Sequence, residues 1–520
     1  MPVAGPVEAL LAATLVGGLV VLLAPDEYAG RLAAAFSLVP LAGSLWMYSV
    51  FDGTGNALLG GELAFESTVQ WVQLGMYELS WHVGLDGVSM PLLLLTTVLT
   101  TLAIVSSWTP IDERESQFYG LMLLMETSLL GVFAALDFFV WLVFWEFVLV
   151  PMYFLIGVWG GPRRRYAAIK FFVYTNVATL VMFVGYAALV FALGDSVSSF
   201  DLPAVAQALQ VQGNLGTFFG IEPAVLRLVA FTLMFAGFAV KVPVFPLHTW
   251  LPDAHVEAPT PVSVMLAGVL LKMGTYALLR FNFTMLDNTA RANAGIIVAF
   301  GVFSVVYGAM LALAQQDLKR IVAYSSISSM GYVIVGLVAF TPHGIGGATF
   351  QMVSHGLISG LMFMAVGVMY NETHTRMVGD ISGIADRMPW TVGVFLAAAF
   401  GYMGLPFMSG FAAEYLVFLG SFGSPHIPAA PLVTAVAMFG IVVVAGYLLW
   451  AMQRTLFGEY SLATDYDVSR APVHDVVPLV VLLVLVVVLG TQPSLVYQMI
   501  QDATGPLVPA TAFPGGEFLW

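Results

Sequence analysis

Several ionisable side chains lie inside long apolar stretches of this sequence. Lysine occurs only at Lys170, Lys241, Lys272 and Lys319 in 520 residues. Lys241 lies within VAFTLMFAGFAVKVPVFP, and Lys272 lies within VSVMLAGVLLKMGTYALL. A charge at the centre of a bilayer costs about 2.5–3.5 kcal/mol on insertion scales, so such residues face protein or water and have a partner. The position of Lys241 and Lys272 within apolar stretches therefore indicates that they have a functional role in the membrane.

Glu146 is the natural counter-charge for Lys241. It lies in DFFVWLVFWEFVLVPMYF, where an unpaired carboxylate would be strongly desolvated. We predict a titratable Glu146–Lys241 pair, and a static ion pair joining two helices is the alternative. Lys272 has no acid in its own stretch. An amine in an apolar environment gives up its proton more readily than one in water, so Lys272 is a candidate proton carrier.

The second half of the chain repeats this pattern with different groups. His355 lies in ATFQMVSHGLISGLMF and Glu414 in GYMGLPFMSGFAAEYLVF. Histidine titrates near neutral pH and therefore suits a proton relay, although a buried histidine with only a structural role is the alternative. Lys319 borders an apolar stretch and is a weaker candidate. Glu126 and Asp137 lie near the ends of apolar stretches and are expected to be solvated.

Composition identifies the elements that must hold these residues. The chain is 59% apolar and 9% charged, whereas soluble domains average about 25% charged residues. Continuous apolar runs of about twenty residues indicate membrane-spanning helices. We predict an all-α polytopic membrane protein of about 14 transmembrane helices. The predicted spans are 7–24, 32–50, 88–108, 117–135, 138–158, 169–193, 227–250, 260–280, 293–314, 321–340, 347–370, 391–421, 431–452 and 474–495.

Two of these spans contain helix-breaking residues. Pro243 and Pro246 follow Lys241, and Gly404, Pro406 and Gly410 precede Glu414. Broken spans at matching positions of two halves are typical of inverted-repeat transporters. We predict one membrane domain with two inverted five-helix repeats, each with a broken helix. Its parts are the N-terminal spans 1–116, the halves 117–281 and 293–452, and a C-terminal loop and last span at 453–520; segments 51–87, 194–226 and 453–473 are expected to be short connectors.

Basic residues are unevenly distributed between the loops. Loops after odd-numbered spans contain twelve bases and those after even-numbered spans only three, which predicts that the first set is cytoplasmic. Both termini are then expected on the outer side of a cell membrane. The first set is Arg31, Arg114, Arg163, Arg164, Arg165, Lys170, Lys319, Arg320, Arg376, Arg387, Arg454 and Arg470, and the second is Arg227, Arg280 and Arg291.

The residue types also exclude several function classes. There is no cysteine, so the chain cannot form thiolate-held zinc sites or iron–sulfur clusters. The net charge of -14 disfavours a nucleic-acid partner. Only His355 is plainly in the middle of a span, whereas a haem-bearing cytochrome needs facing histidine pairs. We therefore expect no cofactor in this chain.

Three runs of sequence resemble a known family. FWEFVLVPMYFLIGVWGG, KVPVFPLHTWLPDAHVEAPTPVSVMLAGVLLKMGTYALLRF and QQDLKRIVAYSSISSMGY resemble the antiporter-like subunits of respiratory complex I, which are related to Mrp-type cation/proton antiporters. The similarity extends from about residue 70 to residue 460. Within the family, glutamate at position 414 marks one subunit type, whereas the sister subunits L and N have lysine there.

The resemblance implies a role for each candidate. Glu146 matches the family's fifth-span glutamate, Lys241 the seventh-span lysine and Lys272 the central eighth-span lysine. His355 matches a histidine of the eleventh span, and Glu414 lies in the broken twelfth span. Ser329, in AYSSISSMG, replaces the usual histidine of AYSSISHMG. Serine does not titrate near neutral pH, so we expect either that water bridges Lys272 to His355 or that the missing histidine is dispensable.

The function that the resemblance implies is proton translocation. The chain would be a membrane subunit of a complex I-type oxidoreductase that passes electrons from NADH or another donor to quinone. Quinone, flavin and iron–sulfur centres are expected in partner subunits, which would include sister subunits L and N and small membrane subunits. The alternatives are an Mrp-type cation/proton antiporter subunit without redox coupling and a scaffolding subunit.

Overall fold

Helices account for most of the architecture, as predicted. The computed structural model describes residues 5–508. Among these residues, eleven helices are long and apolar enough to cross a membrane, and three shorter apolar helices occupy other predicted spans. The all-α class is confirmed; the count of fourteen spans stays a prediction. The first helices are α1 (Pro6–Leu22), α2 (Asp26–Ser49), α3 (Ser89–Val105), α4 (Glu115–Ala134), α5 (Phe138–Phe147), α6 (Leu149–Trp159), α7 (Arg164–Leu193) and α8 (Leu202–Gln210).

The central span around Lys272 is fully buried and irregular. It changes twice from α to π geometry, at Leu266–Leu270 and at Leu278–Met285. It extends beyond the predicted end at residue 280, and 260–285 is enclosed by other helices. The helices of this region are α9 (Pro223–Lys241), α10 (Trp250–Glu257), α11 (Thr260–Met265), α12 (Leu271–Ala277) and α13 (Asp287–Ala292).

The second half consists of long helices around one broken span. Its longest member, with 32 residues, carries His355. The helices are α14 (Ala294–Leu313), α15 (Leu318–Val338), α16 (Pro342–Thr373), α17 (Pro389–Tyr402), α18 (Ser409–Phe422), α19 (Ala430–Leu456), α20 (Val473–Thr491) and α21 (Ser494–Thr504). Single-turn 3₁₀ segments lie at Ala57–Leu59, Gly194–Ser196, Val378–Asp380, Ile384–Asp386 and Gly505–Leu507.

Both predicted helix interruptions are confirmed. The first separates α9 from α10, where Pro243 and Pro246 cannot donate backbone hydrogen bonds. The second separates α17 from α18 and contains Gly404, whose φ of 64° favours glycine. A further discontinuity between α5 and α6 was not predicted. It lies one turn before Pro151, whose missing N–H leaves the Phe147 carbonyl without its helical donor.

The expectation that 51–87 is only a connector is wrong. This segment contains a β-hairpin of β1 (Ala64–Leu74) and β2 (Tyr77–Leu85), and Gly75 adopts φ 62° in its two-residue turn. Two shorter strands, β3 (Ile381–Ser382) and β4 (Ser461–Leu462), form a second antiparallel pair. The long hairpin was not predicted because eight of the eleven residues of β1 are exposed, so no buried face produces a clear apolar alternation in its sequence.

Polar contacts hold the hairpin against the starts of α5 and α8. His82 pairs through Nδ1 with Asp201 and through Nε2 with Glu66, the latter at 3.0 Å. The His82 carbonyl accepts a hydrogen bond from the Leu136 amide at 2.9 Å. Asp137 caps α5 by accepting from the Phe139 amide at 2.8 Å. The expectation that Asp137 is solvated is wrong, because this capping role buries it completely.

This pairing predicts that acid stabilises the docked hairpin. Burial lowers the pKa of His82, but Asp201 and Glu66 outweigh it and raise that pKa above its usual 6.5. The stabilisation is therefore complete below the unfolded-state pKa and is lost as the pH rises through the raised folded-state value. We expect about 1–2 kcal/mol, since half-exposed Glu66 is screened by solvent. Hydrogen exchange of the hairpin amides, corrected for intrinsic exchange, measures the effect.

Two histidine variants control this measurement. His82→Gln should abolish the pH dependence of hairpin protection in the range where the carboxylates stay ionised. His474→Gln should leave it unchanged, because His474 contacts Thr109 and lies apart from the hairpin. Wild-type protection that does not fall as the pH rises would contradict the prediction.

The loops gather at two opposite faces. Loops after odd-numbered predicted spans surround one cavity of about 500 Å³, whose lining includes Trp159, Glu257, Lys319 and Arg376. The hairpin lies on the other face, where the Tyr48 hydroxyl donates to the Leu495 carbonyl at 2.6 Å. The predicted outer location of the termini concerns 1–4 and 509–520, which lie outside the described residues.

A buried ion pair links the hairpin end to the span of Lys272. Asp86 and Arg280 form two hydrogen bonds, from Nη1 to Oδ2 at 2.7 Å and from Nη2 to Oδ1 at 2.5 Å. Asp86 also accepts hydrogen bonds from the Val88 and Ser89 amides, which begin α3. The assignment of Arg280 to a loop is therefore wrong: its side chain is 1% exposed and lies in the second π segment.

Candidate functional site

Lys272 and His355 are in direct contact at the centre of the molecule. The Lys272 Nζ lies 2.6 Å from His355 Nδ1 and donates to the Ala267 carbonyl at 2.7 Å. Both side chains are buried, with Lys272 at 0% and His355 at 1% exposure. The expected water bridge between them is thus unnecessary, because the two nitrogens already touch.

The π segment before Lys272 helps to set this contact. A π-bulge inserts one residue into a helix, which rotates the following side chains by about 100° relative to a continuous α-helix. Leu266–Leu270 has this geometry and contains Ala267, whose carbonyl receives the lysine amine. The Lys272 amine is therefore held by its own span and by His355 on α16.

Hydroxyl groups continue the path beyond His355. His355 Nε2 lies 3.3 Å from the Tyr402 hydroxyl, which lies 3.5 Å from Ser326 Oγ. Tyr402 is the last residue of α17 and thus stands at the helix break. The neighbouring Ser325 lies 2.6 Å from the Tyr447 hydroxyl. This hydroxyl cluster was not predicted, since tyrosine and serine are common in any span.

Glu414 lies just beyond the same break. It is 4% exposed, and its Oε2 has no hydrogen-bond partner among residues 5–508. Tyr332 and Tyr447 are close enough to interact with its charge. A Cβ atom at Gly404 would lie only 2.7 Å from Glu414 Oε2, so glycine gives the carboxyl group the room it needs.

Lys241 and Glu146 approach each other less closely than expected. The structure contains no Glu146–Lys241 ion pair within 4 Å in its described part, although the two charges interact at longer range. The Lys241 Nζ lies 4.2 Å from the centre of the Trp145 ring, a cation–π contact that partly replaces a counter-ion. Glu146 is half-buried, and its Oε1 has no partner within the described chain.

His255 is a candidate that sequence reasoning missed. It lies in the short helix α10, is fully buried, and stacks on Phe363 with ring centres 4.4 Å apart. Neither ring nitrogen has a hydrogen-bond partner in the described range. Both Lys272 and Lys319 act electrostatically on it, so it lies in the region between them. The run LPDAHVEAP offered no signal of burial, because its polar residues are typical of a loop.

Lys319 connects this region to the cavity at the loop face. Its Nζ donates to the Ala258 carbonyl at 2.7 Å, and its side chain is buried while lining the cavity mouth. From the cavity, titratable and hydroxyl groups follow one another toward the second helix break. In order they are Lys319, His255, Lys272, His355 and Tyr402, and Tyr447, which interacts with both Tyr402 and Glu414, completes the row to Glu414.

Glu126 is a second buried acid that was wrongly expected to be solvated. It is 0% exposed in the middle of α4, and neither carboxyl oxygen has a hydrogen-bond partner in the described part of the chain. The span begins at Glu115, two residues before the predicted start, and the surrounding helices cover it. It stands apart from the row of groups that begins at Lys319.

Comparison with known proteins shows which family this chain belongs to. Residues 135–442 match the family described as NADH:quinone oxidoreductase/Mrp antiporter, TM. The chain belongs to this family. It is 39% identical over 496 residues to F(420)H(2) dehydrogenase subunit M of Methanosarcina mazei, covering 93% of this chain and 95% of that protein. It is also 39% identical over 501 residues to NAD(P)H-quinone oxidoreductase chain 4 1 of a Nostoc species, covering 94% and 88%.

Two solved structures have the same fold as this chain. A chain of respiratory complex I from Thermus thermophilus with bound NADH superposes with a TM-score of 0.83 at 25% identity, covering 97% of this chain and 100% of that one. A chain of the Mrp complex from Dietzia gives 0.81 at 19% identity, covering 98% and 99%, which shows the shared fold alone. The protein is a complex I-type antiporter-like membrane subunit, as the resemblance implied.

Proposed function

We propose that this subunit carries protons across the membrane along the row from Lys319 to Glu414. The contact between Lys272 Nζ and His355 Nδ1 is the observation that carries the proposal. Two buried nitrogen bases that lie 2.6 Å apart are already close enough for a proton to pass from one to the other. A purely structural role gives no reason to bury two such bases together at the centre of the molecule, because desolvation of the charged form is costly.

The first half of the protein supplies the electrostatic control. Glu146 and Lys241 interact at long range, and α9 ends at Lys241, where the helix break begins. A charge brought to about 4 Å from another changes its energy by about 4 kcal/mol at an effective dielectric of about 20. Shifting Lys241 toward or away from Glu146 thus alters the charge that Lys272 experiences. That change favours the uptake or the release of a proton by Lys272.

Partners would supply the energy. We propose that the subunit works in an oxidoreductase complex in a cell membrane, beside sister subunits of the L and N type and small membrane subunits. Quinone, flavin and iron–sulfur centres would lie in those partners. The names of the M. mazei and Nostoc relatives support this assignment over an Mrp-type antiporter. The basic loops support a cytoplasmic position of the cavity near Lys319, with both termini outside.

Removing one oxygen atom tests the relay. Tyr402→Phe deletes the hydroxyl between His355 and Ser326 while retaining the ring. We expect proton pumping to slow about tenfold to hundredfold, because the imidazole loses its neighbour on the path. The measurement is proton uptake by vesicles containing the whole complex, divided by the rate of quinone reduction.

Tyr186→Phe is the matched control. The Tyr186 hydroxyl is also fully buried, but it donates to the Phe200 carbonyl in the first half, away from the row. Its loss should leave the ratio of pumped protons to reduced quinone unchanged. Equal ratios in wild type and Tyr402→Phe would contradict the path through the tyrosine.

A further inference from the structure

An arginine cluster lies at the loop-face end of α7. Arg163 precedes this helix, and Arg164 and Arg165 are its first two residues. Residues 160–166 line a shallow cavity of about 630 Å³. Arg163 pairs with Glu257 at 3.4 Å. Arg164 and Arg165 are exposed and form no ion pair within 4 Å in the described structure. Arg164 Nη1 donates to the Gly160 carbonyl at 3.3 Å. In a chain with a net charge of -14, these two arginines are a local positive charge without a close acidic partner in the described residues.

An apolar groove runs along the same helix. It lies between α7 and α9, has a volume of about 380 Å³ and is almost wholly apolar. Its upper end begins at Val173, about 12 Å below Arg165 at 1.5 Å per residue. The residues that line it include Val173, Val177 and Val181 of α7, Ala236 and Val240 of α9, and Leu247 of the interruption after α9.

Exposed apolar side chains connect the cluster to the groove. Ile169 is 52% exposed and Val177 is 56% exposed, so this face of α7 is covered by no other part of the described chain. Tyr166, beside the arginines, is 54% exposed, and tyrosine is typical of the membrane–water boundary. Along α7, the arginines are thus followed by Tyr166 and then by exposed apolar side chains. A phospholipid has the matching order of phosphate, glycerol and acyl chain.

We propose that Arg164 and Arg165 bind the headgroup of an anionic phospholipid whose acyl chain occupies the groove between α7 and α9. Each basic residue near a membrane surface contributes about 1 kcal/mol toward anionic lipid, which is about a fivefold preference. Two of the lining residues flank Lys241: Val240 precedes it in α9, and Leu247 follows it in the helix break. The lipid chain therefore contacts the segment that carries this lysine.

A photoreactive lipid tests the site in the assembled complex. Complex in phosphatidylcholine nanodiscs receives a phosphatidylglycerol analogue with a diazirine midway along one acyl chain, and mass spectrometry maps the crosslinks. We expect labelling at residues 173–181 and 236–247, about thirtyfold above that given by the matching phosphatidylcholine analogue, since two arginines each contribute about 1 kcal/mol. Equal labelling by the two analogues would overturn the proposal. Unlabelled groove residues in the assembled complex would also overturn it, since a protein neighbour would then cover the groove.

Variants separate the headgroup from the chain. R164Q/R165Q should reduce the preference for the anionic analogue about thirtyfold, whereas R470Q, another exposed arginine of the loop face, should not change it. A236F should fill the groove and remove the labelling while both arginines remain. If inorganic phosphate abolishes the preference and A236F has no effect, the arginines bind a free anion and the lipid assignment is wrong.

Discussion

Lys272→Met abolishes proton pumping while the complex stays assembled. Methionine has nearly the shape of lysine but cannot carry a proton, so the row is interrupted at its centre, where His355 loses the base that it contacts at 2.6 Å. We expect a loss of at least about hundredfold in pumping. The fold should survive, because the flexible methionine side chain fills nearly the same buried volume. In vesicles that contain the complex, proton uptake measures pumping, and the rate of quinone reduction shows that the complex is still assembled.

Leu271→Met is the matched control for this variant. It introduces the same side chain one residue earlier in the same helix, at an equally buried position. Volume-conserving apolar changes usually cost less than about 1.5 kcal/mol, so pumping should be retained. Undiminished pumping by Lys272→Met would refute the relay, whereas loss of assembly in both variants would show that the span tolerates no change.

Arg280→Met destabilises the protein by about 3–5 kcal/mol. The substitution leaves Asp86 charged, fully buried and without its partner, since the two groups form a bidentate pair at 2.5 and 2.7 Å. Asp86 also accepts hydrogen bonds from the Val88 and Ser89 amides at the start of α3, so displacement of its carboxylate also destabilises that helix. Thermal unfolding of the purified subunit, or the fraction recovered in assembled complex, measures the loss.

A double substitution isolates the charge effect. Asp86→Asn keeps Oδ1 as the acceptor for the Val88 and Ser89 amides, but it removes the negative charge and the Oδ2 acceptor of the Ala57 amide. Combined with Arg280→Gln, it leaves two neutral amides at the former ion pair, and we expect it to be more stable than Arg280→Met. If Arg280→Met is as stable as wild type, the pair contributes nothing. If the double variant is the least stable of the set, the loss comes from packing rather than from an unpaired charge.

The sequence predicted the helical membrane class, the two breaks and most of the titratable groups in the row from Lys319 to Glu414. Hydropathy is a local property, and a helix in lipid must satisfy its own backbone, so runs of apolar residues define spans directly. Proline and glycine interrupt helices for equally local reasons, which is why the breaks after Lys241 and before Glu414 were predictable. The cost of a buried charge likewise marked Lys272 from its neighbours alone.

Only the tertiary structure decided which groups meet. Lys272 and His355 lie 83 residues apart, and a π segment turns the lysine toward the histidine. The same packing buried His255 and Glu126, whose surroundings in sequence resemble a loop and a span end. It also gave Arg280 a partner in Asp86 and left Glu146 and Lys241 without a close ion pair. Contacts between distant helices depend on how whole surfaces pack together, and no single stretch of sequence carries that information.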